Sequence, residues 1–477
     1  MFAMALIALI FADLEIHHSN PASELTLMAK GFVAPQFPSW DILMPALLKT
    51  IAFAIQGVVL AGVLGFILAL CFRYIIVRVV AAFIRAIHEL FWALLFIQIT
   101  GLSPLTAFLA ILVPYSGIFA KVFSEIIEET DNRVANSINP RASYLSKVLF
   151  TRVLLCWSQI KTYFLYRMEC GIRSSAILGF VGLPTLGFEL ESFLRQGYYH
   201  EAAGILYIFF ALILSLKTFF KLPLIPIYLI AAFIYLPPFA EVSWLTVMTF
   251  FNEDIIPKVL QKGDFIGFFS WCKNLWLNEA CYGVFNTLVL GQIALLCTAL
   301  MSLLLFPLRS ALFFSKIPRS FSNLGLIVMR SCPEYLLAFI ALLVFGPSMI
   351  PAIIALSIHN SSIIAHLLAL HSINLTFRED LCKGVNCYFF EVIPRLYRQF
   401  LALLFYRWEI ILRETAILGM LGIPTLGFYI DSAFEDIRID RAVFLIIISA
   451  LLNISIDHIA VYCRRHLHMI NQPVLKF

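Results

Sequence analysis

Long apolar runs are the sequence feature that most limits how this chain can fold. A transmembrane helix needs about 20 predominantly apolar residues, and such runs lie at 51–72, 102–120, 202–220, 222–240, 287–308, 351–370 and 442–460. With 13% charged residues and a mean hydropathy of +0.91, the chain has too little polar surface for a soluble globule. Because the runs lack the alternation of barrel strands, they predict an all-α polytopic membrane protein with about ten to twelve spans.

The first twelve residues, MFAMALIALIFA, are apolar but short for a span. A secretory signal would require a basic stretch before the apolar residues, and none precedes them. They predict a short first helix, with a cleaved signal as the alternative.

The distribution of charge predicts which ends of the spans face the cytoplasm, because loops rich in Lys and Arg tend to stay on that side. Three basic groups follow apolar runs and are expected there: Arg73, Arg78 and Arg85; Arg309, Lys316, Arg319 and Arg330; Arg464 and Arg465. Two acidic groups are expected on the outer face: Glu189, Glu191 and Glu201; Asp431, Glu435, Asp436 and Asp440.

The chain contains an internal repeat. ECGIRSSAILGFVGLPTLGF, from Glu169, and EIILRETAILGMLGIPTLGF, from Glu409, are identical at 12 of 20 positions without a gap, at an offset of 409 − 169 = 240. Upstream, HELFWALLFIQITGLSP, from His88, resembles PEYLLAFIALLVFGPS, from Pro333. The repeat predicts two homologous halves.

We assign residues 1–220 to the first half, 221–279 to a connecting span and external segment, and 280–477 to the second half. Both halves carry basic residues before the repeated segment and acidic residues after it, so they are expected to cross the membrane in the same direction. This predicts two parallel bundles of about five to six transmembrane helices each.

Each repeated segment contains an acid and a base four residues apart, Glu169 with Arg173 and Glu409 with Arg413. This spacing places both side chains on one helix face, and charges at membrane depth are costly unless paired or hydrated. One interpretation is a structural ion pair that fixes helix packing. The other places the two arginines near the path of an anion.

The sequences GLPTLG and GIPTLG follow these pairs and predict a break in each helix. Proline cannot donate to the helical hydrogen bonds and glycine permits unusual dihedral angles, while a threonine hydroxyl can satisfy a freed carbonyl. The break either lines a wet pathway or only shapes packing. The expected pathway residues of both halves are Glu169, Arg173, Gly182, Pro184, Thr185, Gly187, Glu409, Arg413, Gly422, Pro424, Thr425 and Gly427.

The longest polar interruptions within the halves are KVFSEIIEETDNRVANSINPRASYLSKVLFTR and REDLCKGVNCYFFEVIPR. With HELFWALLFIQITGLSP, YRMECGIRSSAILGFVG and YRWEIILRETAILGMLG, they make the chain resemble two fused copies of the membrane permease subunit of ATP-binding-cassette importers, of the phosphonate, phosphite and phosphate type. The resemblance covers most of both halves and implies a type I importer fold.

In that family a cytoplasmic coupling loop, with an acidic start, a glycine and a later proline, docks into a groove of the ATPase. The resemblance therefore implies that Glu125 and Glu128 match the acidic start in the first half. In the second half, Lys383, Gly384 and Pro394 match the later part. Neither half has the whole pattern: at the constant offset the first half has Tyr144 and Leu154, and a gap of three would give Arg141 and Thr151.

The implied partners are two cytoplasmic ATPase subunits, an extracytoplasmic solute-binding protein and membrane lipid, with no nucleic acid. The implied location is the bacterial inner membrane. The implied substrate is a small anion, although family relatives usually have G-x-G-G-x-G where this chain has Pro-Thr. Amino acids or quaternary amines are the alternative solutes.

No Walker A pattern G-x-x-x-x-G-K-[ST] occurs, so ATP is expected to be used by the partners and no cofactor by this chain. The ten cysteines and ten histidines form no recognised ligand spacing, so no metal site and no catalytic residue is expected. A membrane enzyme is therefore disfavoured. An ion-coupled secondary transporter would need intramembrane acids, for which Glu169, Glu409 and Glu414 are candidates.

Overall fold

The structure is a computed structural model that describes residues 2–17, 20–130, 141–237, 242–373, 375 and 384–466. The described chain is 85% helical, and no strand occurs in those ranges. The predicted all-α class is therefore confirmed.

The α-helices of the N-terminal part are α1 (Phe2–Phe11), α2 (Pro21–Val33), α3 (Trp40–Leu70), α4 (Ile75–Ala86), α5 (Glu89–Thr100), α6 (Pro104–Glu128), α7 (Tyr144–Lys147), α8 (Leu154–Ile177), α9 (Leu186–Arg195), α10 (Tyr199–Phe219), α11 (Ile225–Tyr235) and α12 (Trp244–Thr249). Those that follow are α13 (Lys258–Gln261), α14 (Phe265–Leu275), α15 (Cys281–Arg309), α16 (Lys316–Ser331), α17 (Glu334–Phe345), α18 (Met349–Ser372), α19 (Ile393–Leu418), α20 (Leu426–Glu435) and α21 (Ile439–His466). Short π-helical segments precede α8 (Val148–Val153) and α19 (Cys387–Val392), and 3-10 turns follow them (Leu178–Val181 and Gly419–Leu421).

Six helical segments of the described chain are long and apolar enough to cross a membrane: Trp40–Leu70, Pro104–Glu128, Tyr199–Leu216, Phe265–Arg309, Met349–Ser372 and Ile439–His466. Four bent helix pairs bring the total to ten if each is one span, the lower end of the number expected from sequence. The apolar run at 222–240 contains a shorter helical stretch, Leu222–Tyr235.

The described residues form two compact units. The first-half unit is Leu27–Ile256, and the second-half unit comprises the described residues of Met1–Thr26 and Pro257–Lys476. This grouping differs from the sequence-based division, which placed residues 1–26 with the first half.

In the first-half unit, α3 packs closely on α6 because small residues line the contact. A side chain at Gly65 would meet the Cβ of Phe119 at 2.4 Å and the carbonyl oxygen of Ser116 at 2.9 Å. Such small-residue contacts let transmembrane helices approach. The buried Gln56 of α3 also donates through Nε2 to the carbonyl oxygens of Ala232 and Leu236, both at 2.8 Å, and so fixes the end of α11.

In the second-half unit, α1 packs against α15, and the rings of Phe11 and Phe285 meet edge to face at 5.4 Å. The backbone after α1 continues the attachment: Met349 N donates to Asp13 O at 3.1 Å and His17 N donates to Phe345 O at 3.0 Å. The predicted short first helix is therefore present. It belongs to the second-half unit through its packing on α15 and these backbone bonds, and its buried side chains are those of Ala5 and Ala8.

Candidate functional site

Each half contains a broken helix at the predicted position. Helix α8 passes through a 3-10 turn to Gly182, whose φ is +89°, before α9 begins at an angle of 49°. Helix α19 does the same at Gly422, with a φ of +84° and an angle of 44°. A φ in this range favours glycine, so the predicted breaks are confirmed.

In the first half, two threonines satisfy the backbone groups that the break leaves open. Thr185 donates from Oγ1 to the carbonyl oxygen of Ala176 at 3.3 Å. The backbone N–H of Leu186, at the start of α9, donates to Oγ1 of Thr50 on α3 at 2.9 Å. A hydroxyl from another helix thus acts as the N-terminal cap.

The second half repeats this arrangement. Thr425 donates to the carbonyl oxygen of Thr415 at 3.3 Å, and the N–H of Leu426 donates to Oγ1 of Thr287 on α15 at 3.1 Å. Asn286 adds a bond from Nδ2 to the carbonyl oxygen of Pro424 at 2.8 Å. The break is therefore held at both sides by buried polar contacts.

Glycines allow the two parts of each broken helix to touch. A Cβ added at Gly187 would lie 1.9 Å from the carbonyl oxygen of Ala176, and one added at Gly427 would lie 1.5 Å from that of Ala416. Both distances are far inside van der Waals contact. The second glycine of each GxPTLG sequence is therefore required by close backbone packing.

The residues at the two breaks differ in exposure. Thr185 and Thr425 are fully buried, whereas Pro184 and Gly422 are exposed. Their place on a transport pathway stays a prediction.

The predicted acid–base positions lie on α8 and α19. Glu169, Arg173, Glu409 and Arg413 are all half-buried, and Arg173 directs Nη2 to Sγ of Cys170 at 3.2 Å. Half-burial on a candidate span is consistent with both interpretations, so the roles of these four residues stay predictions.

The second-half unit contains a polar cluster that was not predicted from the sequence. We define the second polar cluster as Glu334, His359, Asn360, Arg407 and Glu414. His359 Nε2 lies 2.7 Å from Glu334 Oε1, and Asn360 donates from Nδ2 to Glu414 Oε2 at 3.2 Å and accepts at Oδ1 from Arg407 Nη1 at 3.3 Å. Except for Glu334, which is 14% exposed, the members are buried.

The first-half unit has a smaller counterpart, the first polar cluster, formed by Glu89, Tyr115 and Ser174. Ser174 donates from Oγ to Glu89 Oε1 at 2.7 Å and lies 2.9 Å from the hydroxyl of Tyr115. The guanidinium of Arg167 lies over the Tyr115 ring at 5.8 Å. These groups lie on helices of the candidate spans, and buried polar side chains within such spans mark candidate functional sites.

The two clusters occupy matching positions. Glu89 and Glu334 start the short helices α5 and α17 after bends of 92° and 90°, at an offset of 334 − 89 = 245. Tyr115 and Asn360 share the same offset, and Ser174 and Glu414 differ by 240. The aligned glutamates of HELFW and PEYLL were the signal in the sequence that could have indicated them.

The two predicted coupling segments, residues 121–152 and 378–395, and the helices that follow them show matching exposed aromatic residues. Phe150 and Phe390 lie in the π-helical segments and are 71% and 78% exposed, and Trp157 and Tyr397 follow them at the same offset of 240 and are also exposed. The π-helical segments begin at Val148 and Cys387, an offset of 387 − 148 = 239 that lies within one residue of the constant offset of 240.

Four of the five predicted coupling residues lie in the described ranges. Glu125 and Glu128 are exposed at the C-terminal end of α6, where Glu125 lies 4.0 Å from Lys121 Nζ. Gly384 has a φ of +69° and Pro394 lies in the first turn of α19. Lys383 lies outside the described residues.

These features define a multi-pass membrane protein built from two homologous helical halves. The chain is 24% identical over 436 residues to the phosphate-import permease protein PhnE of Mycolicibacterium smegmatis, a match that covers 82% of the chain and 78% of that protein. It is 26% identical over 210 residues to the phosphite transport system permease protein PtxC of Stutzerimonas stutzeri, covering 42% of the chain and 76% of that protein. No protein-family profile and no solved structure matches the chain.

The lengths of these matches agree with the internal repeat. The PtxC match is shorter than half of the chain, whereas the PhnE match is too long for one half and includes parts of both. The relatives are transport permeases rather than enzymes. The chain is accordingly a multi-pass membrane protein that is similar to transport permease proteins over most of its length.

Proposed function

We propose that the chain is the permease subunit of an ATP-binding-cassette importer in the bacterial inner membrane, and that it carries phosphate, phosphite or a phosphonate. The match to PhnE over both halves carries the proposal, because that relative is named for phosphate import. The match to PtxC, named for phosphite transport, supports the same class of small oxyanion.

In this proposal each half docks one cytoplasmic ATPase subunit, and an external binding protein delivers the solute. The exposed rings of Phe150 and Phe390 supply the apolar contact with the ATPase. Large apolar side chains that are exposed beside charged residues are typical of protein–protein contact surfaces. The charged residues Arg152, Glu391 and Arg395 lie in the same segments. The chain has no Walker A sequence, so ATP is used by the partners and this chain needs no cofactor.

Within the membrane, the proposed route runs beside the two broken helices and the half-buried Arg173 and Arg413. An arginine at this depth attracts an oxyanion through charge and its planar hydrogen-bond donors. The breaks give the two helices a point at which access can switch between faces.

Uptake of labelled phosphate, phosphite and methylphosphonate tests the proposal, in cells that express the chain with its ATPase and binding protein. Arg413→Gln is expected to reduce uptake at least tenfold with unchanged amounts of membrane-inserted protein, since one charge-assisted hydrogen bond contributes about 1.5–3 kcal/mol. Arg464→Gln, near the end of the last helix, is the control and should leave uptake unchanged. Uptake of none of the three anions, with uptake of amino acids or quaternary amines, would refute the substrate assignment.

Co-purification of the ATPase tests the coupling segments. Phe390→Asp should reduce ATPase association strongly because it places a charge in an apolar contact, whereas Phe390→Leu keeps the apolar surface and should retain most of it. The matched pair Phe150→Asp and Phe150→Leu measures how much the first half contributes to ATPase association. Equal association of the Asp and Leu variants in both halves would contradict docking at these rings.

The second polar cluster favours one other function, ion-coupled secondary transport, because it contains the buried carboxylate of Glu414 and the largely buried carboxylate of Glu334. Proteoliposomes that contain only this chain separate the two functions. Gradient-driven uptake without an ATPase would replace the proposed importer with a secondary transporter.

A further inference from the structure

The second-half unit contains a cavity with a strongly basic wall. The cavity has a volume of about 430 Å³ and lies among the end of α15, the start of α16 and the end of α18. We call it the basic cavity and define it by Arg309, Lys316, Arg319, Asn323, Leu370 and Ile373. Its volume falls within the range of small-molecule sites, about 300–1,000 Å³.

Among the described residues, no carboxylate neutralises the cations of this cavity. No carboxylate of the described residues lies within 4.0 Å of Arg309, Lys316 or Arg319. Elsewhere in the same unit, Arg395 pairs with Glu391 at 2.6 Å.

The groups near Arg309 add to this excess of positive charge. Its Nη1 lies 3.4 Å from His366 Nε2, and Arg319 and Arg330 are close enough to repel its guanidinium. Like charges gathered in a half-enclosed space raise the free energy unless an anion binds between them.

Two further features of the cavity suit an anion. Helix α16 begins at Lys316, which lines the cavity, so the positive end of the helix dipole adjoins the cavity. The side chain of the N-cap residue Ser315 makes no capping hydrogen bond. The buried Oδ1 of Asn323 has no hydrogen-bond partner among the described residues. Since amide oxygen and nitrogen are interchangeable by rotation, Asn323 can present its NH₂ group to an anion instead.

The cavity lies at the end of the unit that carries the second coupling segment. Tyr388 of that segment donates from its hydroxyl to the carbonyl oxygen of Leu303 on α15 at 2.6 Å, and its ring packs on Phe306 and Phe313 at 5.5 and 5.9 Å. The charge distribution predicts that this end faces the cytoplasm. An anion bound here would therefore be held beside the coupling segment, on the inner face.

We propose that the basic cavity binds a phosphate group at the cytoplasmic surface of the second half. Guanidinium groups bind phosphate oxygens through paired donors, and a lysine ammonium adds a point charge. Free inorganic phosphate and the phosphate of an anionic lipid headgroup present the same chemistry. The proposal does not depend on which solute the permease transports, because its test measures binding alone.

The test uses the purified full chain and a double variant, Lys316→Gln with Arg319→Gln. The control is Arg78→Gln, which removes an exposed charge from α4, the helix of the first half that precedes the matching bend. One arm titrates inorganic phosphate, with chloride at equal ionic strength as the reference. The other arm measures retention of phosphatidylglycerol against phosphatidylcholine by native mass spectrometry of the detergent-solubilised chain.

The double variant is expected to weaken binding by at least tenfold in one arm, while the wild-type chain and Arg78→Gln bind alike. Loss in the phosphate arm identifies a free anion, and loss in the lipid arm identifies a headgroup. Binding by the double variant equal to the wild type in both arms overturns the proposal, as does the absence of wild-type binding in both. An unchanged unfolding temperature of the double variant shows that a loss of binding is not a loss of fold. If the double variant unfolds, Lys316→Gln alone supplies a milder variant. The double variant would still bind a transported anion at any site other than the basic cavity. Failure of the basic cavity to bind phosphate can therefore be distinguished from failure of the proposed transport function.

Discussion

The second glycine of each GxPTLG sequence provides a test of whether close backbone packing explains the repeated sequence. In Gly427→Ala the new Cβ would lie 1.5 Å from the carbonyl oxygen of Ala416, and it must retreat by about 2 Å to reach ordinary van der Waals contact. The obstacle is backbone, so relief requires α20 to move away from α19. Overpacking a core by one carbon commonly costs about 1–3 kcal/mol, and we expect the upper end of that range here.

A loss of about 3 kcal/mol corresponds to a fall of roughly 6–12 °C in unfolding temperature for a unit of this size. Scanning calorimetry or thiol-reporter unfolding of the purified chain measures it. Gly325→Ala is the matched control: nothing lies within 4 Å of its new Cβ and the residue is in the middle of α16, so the unfolding temperature should be unchanged or slightly higher. If both variants unfold at the same temperature, close packing does not explain Gly427.

Three further outcomes test the polar contacts. Thr287→Val should cost about 1–2 kcal/mol of unfolding free energy because the N–H of Leu426 loses its acceptor, whereas Thr287→Ser should retain most of the stability; equal losses would contradict the cap. Thr50→Val should have the same effect at Leu186 in the first half, as judged by the same unfolding measurement. Asn360→Leu should cost about 1–3 kcal/mol for each buried group left without its bond, while Ser362→Ala, whose hydroxyl bonds only within its own helix, should cost less than about 1 kcal/mol; a reversed order would show that the second polar cluster does not stabilise the unit.

Local sequence was sufficient to predict the broken helices. Proline and glycine act on the backbone where they stand, so the breaks at Gly182 and Gly422 followed from two six-residue stretches. The role of threonine in satisfying a freed carbonyl was also local, and the bonds of Thr185 and Thr425 confirm it.

The caps of the second helix parts could not be predicted in this way. Leu186 is capped by Thr50, which lies 136 residues earlier, and Leu426 by Thr287, 139 residues earlier. No spacing rule links positions so far apart, because their contact depends on how α3 and α15 pack.

The sequence by itself determined that the chain is helical, crosses a membrane and consists of two related halves, since apolar length, proline, glycine and repetition act along the chain. Only the tertiary structure decided that Glu414 and Arg407 both bond Asn360, that Arg309 lies beside Arg319 at an open cavity, and that α1 packs on α15. Periodicity fixes which face of a helix is apolar. It does not fix which neighbour covers that face, and the chemistry of buried charges depends on that neighbour.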